Sequence, residues 1–149
     1  MSIRTYFGIG FDLLEIKLYR FMNYQTPVIF NFESPYIVIS GPTGSGKTTI
    51  LEALTFALFG RCSRLELGSV NIEDVCAKRG NVICIFRVGE NKIRIKRGRD
   101  SKGKSYLELF INEERVLGKI PDLNEKIRST ILGMNYQAFV NSTIIRQDE

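Results

Sequence analysis

The feature that most constrains this chain is a glycine-rich segment, residues 41–48, which reads Gly-Pro-Thr-Gly-Ser-Gly-Lys-Thr. It fits the P-loop pattern, in which a loop of this composition joins a strand to a helix. Gly41, Gly44 and Gly46 let successive backbone N–H groups converge on phosphate oxygens, and the N-terminus of the next helix adds partial positive charge. The segment therefore predicts a binding site for a nucleoside triphosphate.

Each residue type in the loop has a chemical task. The Lys47 ammonium is placed for the β and γ phosphates, and the Thr48 hydroxyl can ligate magnesium. Thr49 offers a further hydroxyl or amide to phosphate. We therefore predict ATP and Mg²⁺ as the ligands, with the remaining backbone contacts from Thr43, Gly44, Ser45 and Gly46.

The flanks of the loop support this interpretation. Residues 36–39 form a short apolar run of the kind found in strands buried on both faces. Residues 47–59 carry apolar side chains at helical spacing on nearly every side, and Gly60 is a suitable stop. We expect this helix to be buried.

The remaining segments predict strands and short helices in mixed order. The predicted strands are 11–21, 28–32, the hairpin 82–88 with 92–96, 105–111 and the extended 142–146; the predicted helices are 69–77, one starting at Pro121 and stopping at Gly133, and 135–140. The 149 residues predict one domain of the α/β class, with a mixed sheet and antiparallel hairpins around the P-loop strand and helix.

The chain carries only part of a hydrolytic site. It has no histidine, so proton transfer needs a carboxylate, a lysine or a polarised water. ATPases of this type also need an apolar strand that ends in Asp or Glu. Residues 82–86 lead into Arg87, and residues 107–111 lead into a polar turn that holds Glu113 and Glu114. We therefore expect the catalytic base to come from elsewhere.

With these pieces assembled, residues 14–149 resemble the N-terminal ATPase half of the SbcC/Rad-fifty family, the SMC-like, ABC-type ATPases of double-strand-break repair. The resemblance rests on residues 16–24, the P-loop, residues 50–60, 85–86 with 92–97, 139–142, and the ending Ile-Ile-Arg-Gln-Asp-Glu at 144–149. It implies that Gln147 is the Q-loop glutamine, which reaches magnesium and the attacking water, and that Lys47 and Gln147 serve catalysis. It also places Glu73, Asp74 and Val75 against the base or ribose.

The sequence departs from the family pattern at three positions. Thr43 stands where the family usually has Asn, and Asp148 stands where Gly is common. Met22 aligns with an arginine that the family uses near the nucleotide.

The resemblance also implies partners. The family chain continues from the Q-loop into a coiled coil and returns with the signature and Walker B motifs, so we expect a C-terminal ATPase segment to complete the site. A second head would form an ATP-dependent homodimer. An Mre-eleven/SbcD-type nuclease and double-stranded DNA would be the further partners, in a cytoplasmic, chromosome-associated setting. No apolar run reaches the roughly 20 residues of a membrane-spanning helix.

The basic stretch at residues 92–104 has two interpretations. The net charge of +5 and the alternation of cations with Ile93 and Ile95 fit contact with DNA phosphates, for which we name Arg94, Lys96 and Arg99. A solvated hairpin face explains the same pattern. The three cysteines and the aromatic residues near the start are expected in the core.

Three alternatives stay open at this point. One is an SMC-type chromosome-organising ATPase head. Another is a small P-loop kinase, in which Arg97 and Arg99 act as lid arginines and Asp100 serves the acceptor. The third is a binding-only regulatory domain.

Overall fold

The computed structural model describes residues 2–5, 11–22, 24–32, 45–61, 72–133 and 135–146. The strands in this part of the chain are β1 (Ser2–Thr5), β2 (Phe11–Phe21), β3 (Val28–Asn31), β4 (Cys76–Val88), β5 (Asn91–Arg99), β6 (Ser105–Ile111), β7 (Glu114–Val116) and β8 (Thr143–Arg146). The helices are α1 (Ser45–Phe59), α2 (Ile72–Val75), α3 (Ile120–Glu125), which continues as the π-helical segment Lys126–Leu132, and α4 (Tyr136–Ser142).

Six strands form one antiparallel sheet in the order β3-β2-β4-β5-β6-β7. Its hairpins are tight: Val88 pairs with Asn91 across Gly89 and Glu90, and Ile111 pairs with Glu114. Both residues of the second turn, Asn112 and Glu113, have positive φ, the conformation that matches the twist of a two-residue hairpin. Strands β1 and β8 pair separately as a two-stranded antiparallel ribbon.

Side-chain alternation along the strands gives the sheet one buried and one open face. The buried face carries Ile16, Leu18, Val82, Cys84, Phe86, Ile93, Ile95, Leu107 and Leu109. Because successive residues of a strand point to opposite sides, the residues between them, such as Lys17, Ile83 and Lys96, lie on the open face and are partly exposed.

Helix α1 packs on the buried face and is enclosed on nearly all sides. Its apolar residues Ile50, Leu54 and Leu58 are at most 1% exposed, and even Glu52 is only 3% exposed. Gly60 ends the helix with φ of 70° and donates its N–H to the Phe56 carbonyl at 2.8 Å. The prediction of a buried helix that stops at Gly60 is confirmed.

Helix α3 begins as the sequence predicts, with Pro121 in its first turn. Leu123, Ile127 and Ile131 are buried, and Gly133 ends the π-helical segment in the left-handed region with φ of 68°. Helix α4 then packs its Phe139 and Tyr136 rings against Phe59 at the end of α1, with centroid separations of 5.5 and 5.7 Å.

The predicted helix at residues 69–77 is wrong at its last two residues. Helix α2 covers Ile72–Val75, and β4 begins at Cys76, which pairs with Phe21; residues 69–71 lie outside the described part. Strands β2 and β4 pair closely here because Gly80 of β4 has no side chain. Its backbone lies against the carbonyl oxygens of Arg20 and Ala77, where a Cβ would have no room. The sequence patterns do not predict strands β1 and β7, and the predicted strand 36–39 lies outside the described residues.

Gly98 gives a test of how closely β4 and β5 approach. A Cβ at Gly98 would overlap the Gly80 carbonyl and lie 2.7 Å from the Asn81 Cβ, whereas a Cβ at Gly89 would meet nothing within 4 Å. We expect Gly98→Ala to lower the free energy of unfolding by about 2–4 kcal/mol. Gly89→Ala, whose cost is only its positive φ, should lower it by about 1 kcal/mol. Urea denaturation of both variants measures the difference, and equal losses would contradict the close approach.

Candidate nucleotide-binding site

The first turn of α1 supplies the described part of the P-loop. Residues Ser45–Thr48 are already helical, and the first four N–H groups of any α-helix lack partners within the helix. No acidic residue stands in this turn, so nothing there repels a phosphate. Residues 41–44 lie outside the described part, as do the side chains of Lys47 and Thr48. The side chain of Thr49 is buried, at 5% exposure.

The segment predicted to contact the base or ribose lies beside the C-terminal ends of β2 and β5. Val75 is buried, and its carbonyl accepts the Met22 N–H at 2.7 Å. Glu73 is exposed, with its carboxylate 3.9 Å from the Arg99 guanidinium. The position of this segment is thus defined by β2 and β5, while its contact with a nucleotide stays a prediction.

Gln147, the predicted Q-loop glutamine, lies outside the described residues. Strand β8 leads directly to it, and Arg146 at the end of that strand pairs with Ser2 of β1. Contacts between Phe59 and α4, the helix just before β8, place α4 at the C-terminal end of α1.

The basic strand β5 presents different arginines to its two sides. Arg94 and Lys96 lie on the open face, where the Arg94 guanidinium is 5.3 Å from the Phe110 ring centroid and the Lys96 ammonium is 5.9 Å from that of Tyr106. A groove of about 270 Å³ on this face is lined by Ile85, Lys92, Arg94, Phe110 and Glu113. Aromatic stacking holds the two cations at the surface without an acidic partner being required.

Arg99 does not share this face, which corrects its assignment to the DNA-contacting set. It is 6% exposed, and it donates hydrogen bonds to the Cys76 carbonyl at 2.9 Å and the Gly103 carbonyl at 3.1 Å. The guanidinium is therefore occupied inside the protein. The sequence does contain a signal for the burial of Arg99. Arg97 and Arg99 lie an even number of residues from Ile93 and Ile95, so alternation along the strand puts all four side chains on the same side of β5.

Arg97 is also buried, at 6% exposure. Its Nε donates to the Ala57 carbonyl at 3.0 Å and its terminal nitrogen donates to Asn124 Oδ1 at 2.7 Å. Burial lowers the pKa of the Arg97 guanidinium to about 10, so the group stays charged at neutral pH. The kinase alternative used Arg97 and Arg99 as lid arginines, and neither is placed to clamp a phosphate.

In the kinase alternative, Asp100 would serve the phosphate acceptor. In the structure, Asp100 stabilises a loop instead. Its carboxylate accepts the N–H groups of Lys102 at 2.8 Å and Lys104 at 2.9 Å. Those hydrogen bonds, chiefly the one from Lys104, lower the pKa of the Asp100 carboxyl, as expected when the charged form is the acceptor. The loop keeps Gly103 beside Arg99.

The described cysteines are core residues, as expected. Cys76 and Cys84 are both buried as free thiols. Burial raises the pKa of the Cys76 thiol to about 11 and also raises that of Cys84, so both stay protonated at neutral pH. Within the described ranges, no group of three or more His, Cys, Asp or Glu residues could hold a metal ion. The helices of that same part are too short or too polar to cross a membrane.

A family model and several known proteins are similar to this chain. A family model described as "AAA domain" matches residues 15–149. The "DNA double-strand break repair Rad50 ATPase" of Methanocaldococcus jannaschii is 32% identical over 140 residues, covering 92% of this chain and 13% of that protein. The SbcC component of the SbcCD nuclease of Deinococcus radiodurans is 25% identical over 150 residues, covering 91% of this chain and 16% of that protein.

A solved chain from a study of "ATP-driven dimerization and DNA stimulated activation of SMC ATPases" shares the fold. Its TM-score is 0.56 with 21% identity, over 83% of this chain and 81% of that chain. The predicted α/β lobe with antiparallel hairpins and the resemblance to the SbcC/Rad-fifty family are both confirmed. The chain spans only 13–16% of the length of the two curated relatives named above.

The burial of Arg99 leads to a stability test. We expect Arg99→Met to lower the free energy of unfolding by about 2–4 kcal/mol, since it removes the donor to the buried Cys76 carbonyl and to the partly buried Gly103 carbonyl. The matched change Arg94→Met, on the open face of the same strand, should cost less than about 1 kcal/mol. Chemical denaturation compares them, and a similar small loss for both would contradict the buried role of Arg99.

Proposed function

Because the chain belongs to the AAA domain family, whose model matches residues 15–149, we propose that it binds ATP with Mg²⁺ and forms part of an ATPase of DNA double-strand-break repair. One observation carries the proposal: the P-loop residues Ser45–Thr48 form the N-terminal turn of a 15-residue helix whose residues 49–58 are nearly all buried. A helix held in this way presents its N–H groups at a constant position, which is what recognition of phosphate requires.

The residues of the loop fit a triphosphate with its metal. The backbone N–H groups of Ser45 to Thr48 donate to phosphate oxygens, and Lys47 balances their charge. The Thr48 hydroxyl and Gln147 would hold the magnesium, which supplies charge neutralisation on the phosphates. The further contacts are assigned to Thr43, Gly44 and Thr49, and to Glu73, Asp74 and Val75 for the base or ribose.

A single chain with these residues binds nucleotide better than it hydrolyses it. Neither of the apolar strands β4 and β6 ends in a catalytic carboxylate: β4 runs through Arg87, and Glu113 lies in the β6–β7 turn. We propose that the catalytic base and the signature motif come from a C-terminal ATPase segment, that two heads enclose the nucleotides, and that the cycle controls a partner nuclease and access to DNA.

The binding proposal predicts the effect of removing the lysine. Lys47→Ala should weaken Mg-ATP binding at least about 100-fold, because it removes a charge-assisted contact to the β and γ phosphates. Titration with a fluorescent ATP analogue measures the affinity. Lys92→Ala, which removes an equal charge from an exposed site on β5, is the matched control. Tight binding by Lys47→Ala would refute the proposal.

A different experimental result would favour each of the remaining alternatives. Transfer of phosphate to a small acceptor by this chain alone would favour the kinase, and unimpaired binding without hydrolysis in the presence of a C-terminal segment would favour the regulatory domain. The fold likeness to a chain from a study of SMC ATPases keeps the chromosome-organising head as the nearest rival.

We also propose that the open face of the sheet contacts double-stranded DNA through Arg94 and Lys96. Both cations are partly exposed on one strand face, and neighbouring cations on such a face can follow a phosphate backbone. Arg99 has no part in this proposal, because it is buried.

The DNA proposal predicts a change in salt dependence. The double variant Arg94→Gln with Lys96→Gln should reduce the slope of log affinity against log salt by about 2, one for each lost phosphate contact. DNA binding is measured in the assembled ATPase from about 50 to 200 mM salt. Lys119→Gln with Arg128→Gln, at exposed positions outside the six-stranded sheet, is the control. An unchanged slope for the β5 variant would remove this face from the DNA interface.

A further inference from the structure

The C-terminal end of α1 meets a buried positive charge. Arg97 reaches from β5 to the Ala57 carbonyl in the last turn of the helix. The last four carbonyls of a helix have no intrahelical partner and carry its partial negative charge. The Arg97 guanidinium thus satisfies one of those carbonyls and places a cation where the helix favours one.

The same guanidinium connects the helix to α3. A second nitrogen of Arg97 donates to Asn124 Oδ1 at 2.7 Å. One rigid, planar group therefore joins β5, α1 and α3. The two described acceptors of Arg97 are both neutral oxygens. Hydrogen bonds to these oxygens, rather than an ion pair, therefore stabilise the buried charge.

Gly60 leaves the space that the guanidinium occupies. A Cβ at Gly60 would lie 3.0 Å from the terminal nitrogen Nη1 of Arg97. The glycine that ends α1 therefore has two tasks: it adopts a φ of 70°, and it admits the arginine to the helix terminus. The fit shows that Arg97 and the end of α1 are packed as a unit.

We propose that Arg97 is a positioning residue for the P-loop: it holds α1 at one axial position against β5 and α3, so that the N-terminal turn of the helix meets the phosphates correctly. This inference rests on the proposed nucleotide binding. Ala57 lies 12 residues after Ser45, the first residue of α1, which is about 18 Å along the helix at 1.5 Å per residue. At that distance the charge of Arg97 adds little direct attraction for a phosphate, compared with Lys47 in contact with it. The effect is therefore geometric.

The test uses four single variants of the full chain and the double variant Arg97→Met with Asn124→Ala. Arg97→Met removes both hydrogen bonds and keeps the apolar stem. Arg97→Lys keeps the charge but lacks the planar fork. Asn124→Ala removes only the connection to α3. Arg87→Met removes one charge from an exposed position on β4 and is the matched control. For each variant we measure the free energy of unfolding, Mg-ATP affinity by fluorescence titration, and hydrogen exchange of the α1 amides.

The expected result is a loss of affinity in protein that is still folded. Arg97→Met should weaken Mg-ATP binding about tenfold and Asn124→Ala about threefold, with Arg97→Lys between the wild-type chain and Arg97→Met. Adding Asn124→Ala to Arg97→Met should cause no further loss, because the two residues act through one contact. Arg87→Met should bind as the wild-type chain does.

A purely structural arginine gives a different pattern. It would lower the free energy of unfolding and leave the affinity of the folded variants within about twofold of wild type, and that result overturns the proposal. Additive losses from the two positions also overturn it. Should Arg97→Met fail to fold, Asn124→Ala decides alone, and wild-type affinity in that variant counts against the role.

The measurements distinguish failure of the proposed nucleotide binding from failure of the positioning role of Arg97. If the wild-type chain binds no Mg-ATP, the nucleotide proposal fails, and hydrogen exchange then decides the position of the helix. Arg97→Met and Asn124→Ala must both speed exchange at the same amides near Ala57, beyond any change in Arg87→Met. Unchanged protection of those amides overturns the positioning role independently of nucleotide.

Discussion

The burial of helix α1 on nearly every side is the constraint on which the rest of this structure depends. A helix with apolar residues all round has no stable position at a surface. The six-stranded sheet covers one side with Ile16, Ile95 and their neighbours, and α4 covers the end through Tyr136 and Phe139. Each large apolar side chain enclosed in this way stabilises the fold by about 1.5–3 kcal/mol. The P-loop therefore ends in an element that the core holds in place.

Two arginines cross this core, and their burial has a cost that neighbouring oxygens offset. Arg97 and Arg99 are each 6% exposed and each donates to carbonyl or amide oxygens of other segments. A buried charge that loses such partners is strongly destabilising. Arg99 therefore joins the start of β4 to the β5–β6 loop, and Arg97 joins the sheet to two helices. The hydrogen bonds of Arg97 and Arg99 are directional, whereas apolar packing alone is not.

Strand β5 relates the two proposed functions of the molecule. Its outward residues, Arg94 and Lys96, form the proposed DNA-contacting face, while its inward residue Arg97 contacts the end of the P-loop helix. A single strand thus lies between the surface that would meet DNA and the helix that would meet ATP. An antiparallel strand with hydrogen bonds on both sides is stiff enough to keep these two sets of side chains in constant register.

The sequence alone predicted most of the local elements and a phosphate-binding chemistry for the loop. Apolar periodicity predicted α1, β2 and the β4–β5 hairpin, and Gly133 predicted the stop of the π-helical segment, because these patterns depend on near neighbours in the sequence. The Gly-Lys-Thr pattern predicts a phosphate site in the same way, from local sequence alone. Only the tertiary structure decided the ends of α2, the pairing of β1 with β8 and the side taken by each basic residue of β5. Arg99 resembles Arg94 in composition, yet alternation and packing place it inside. Its environment comes from Cys76 and Gly103, and the distance of Cys76 along the chain leaves no local signal for that contact.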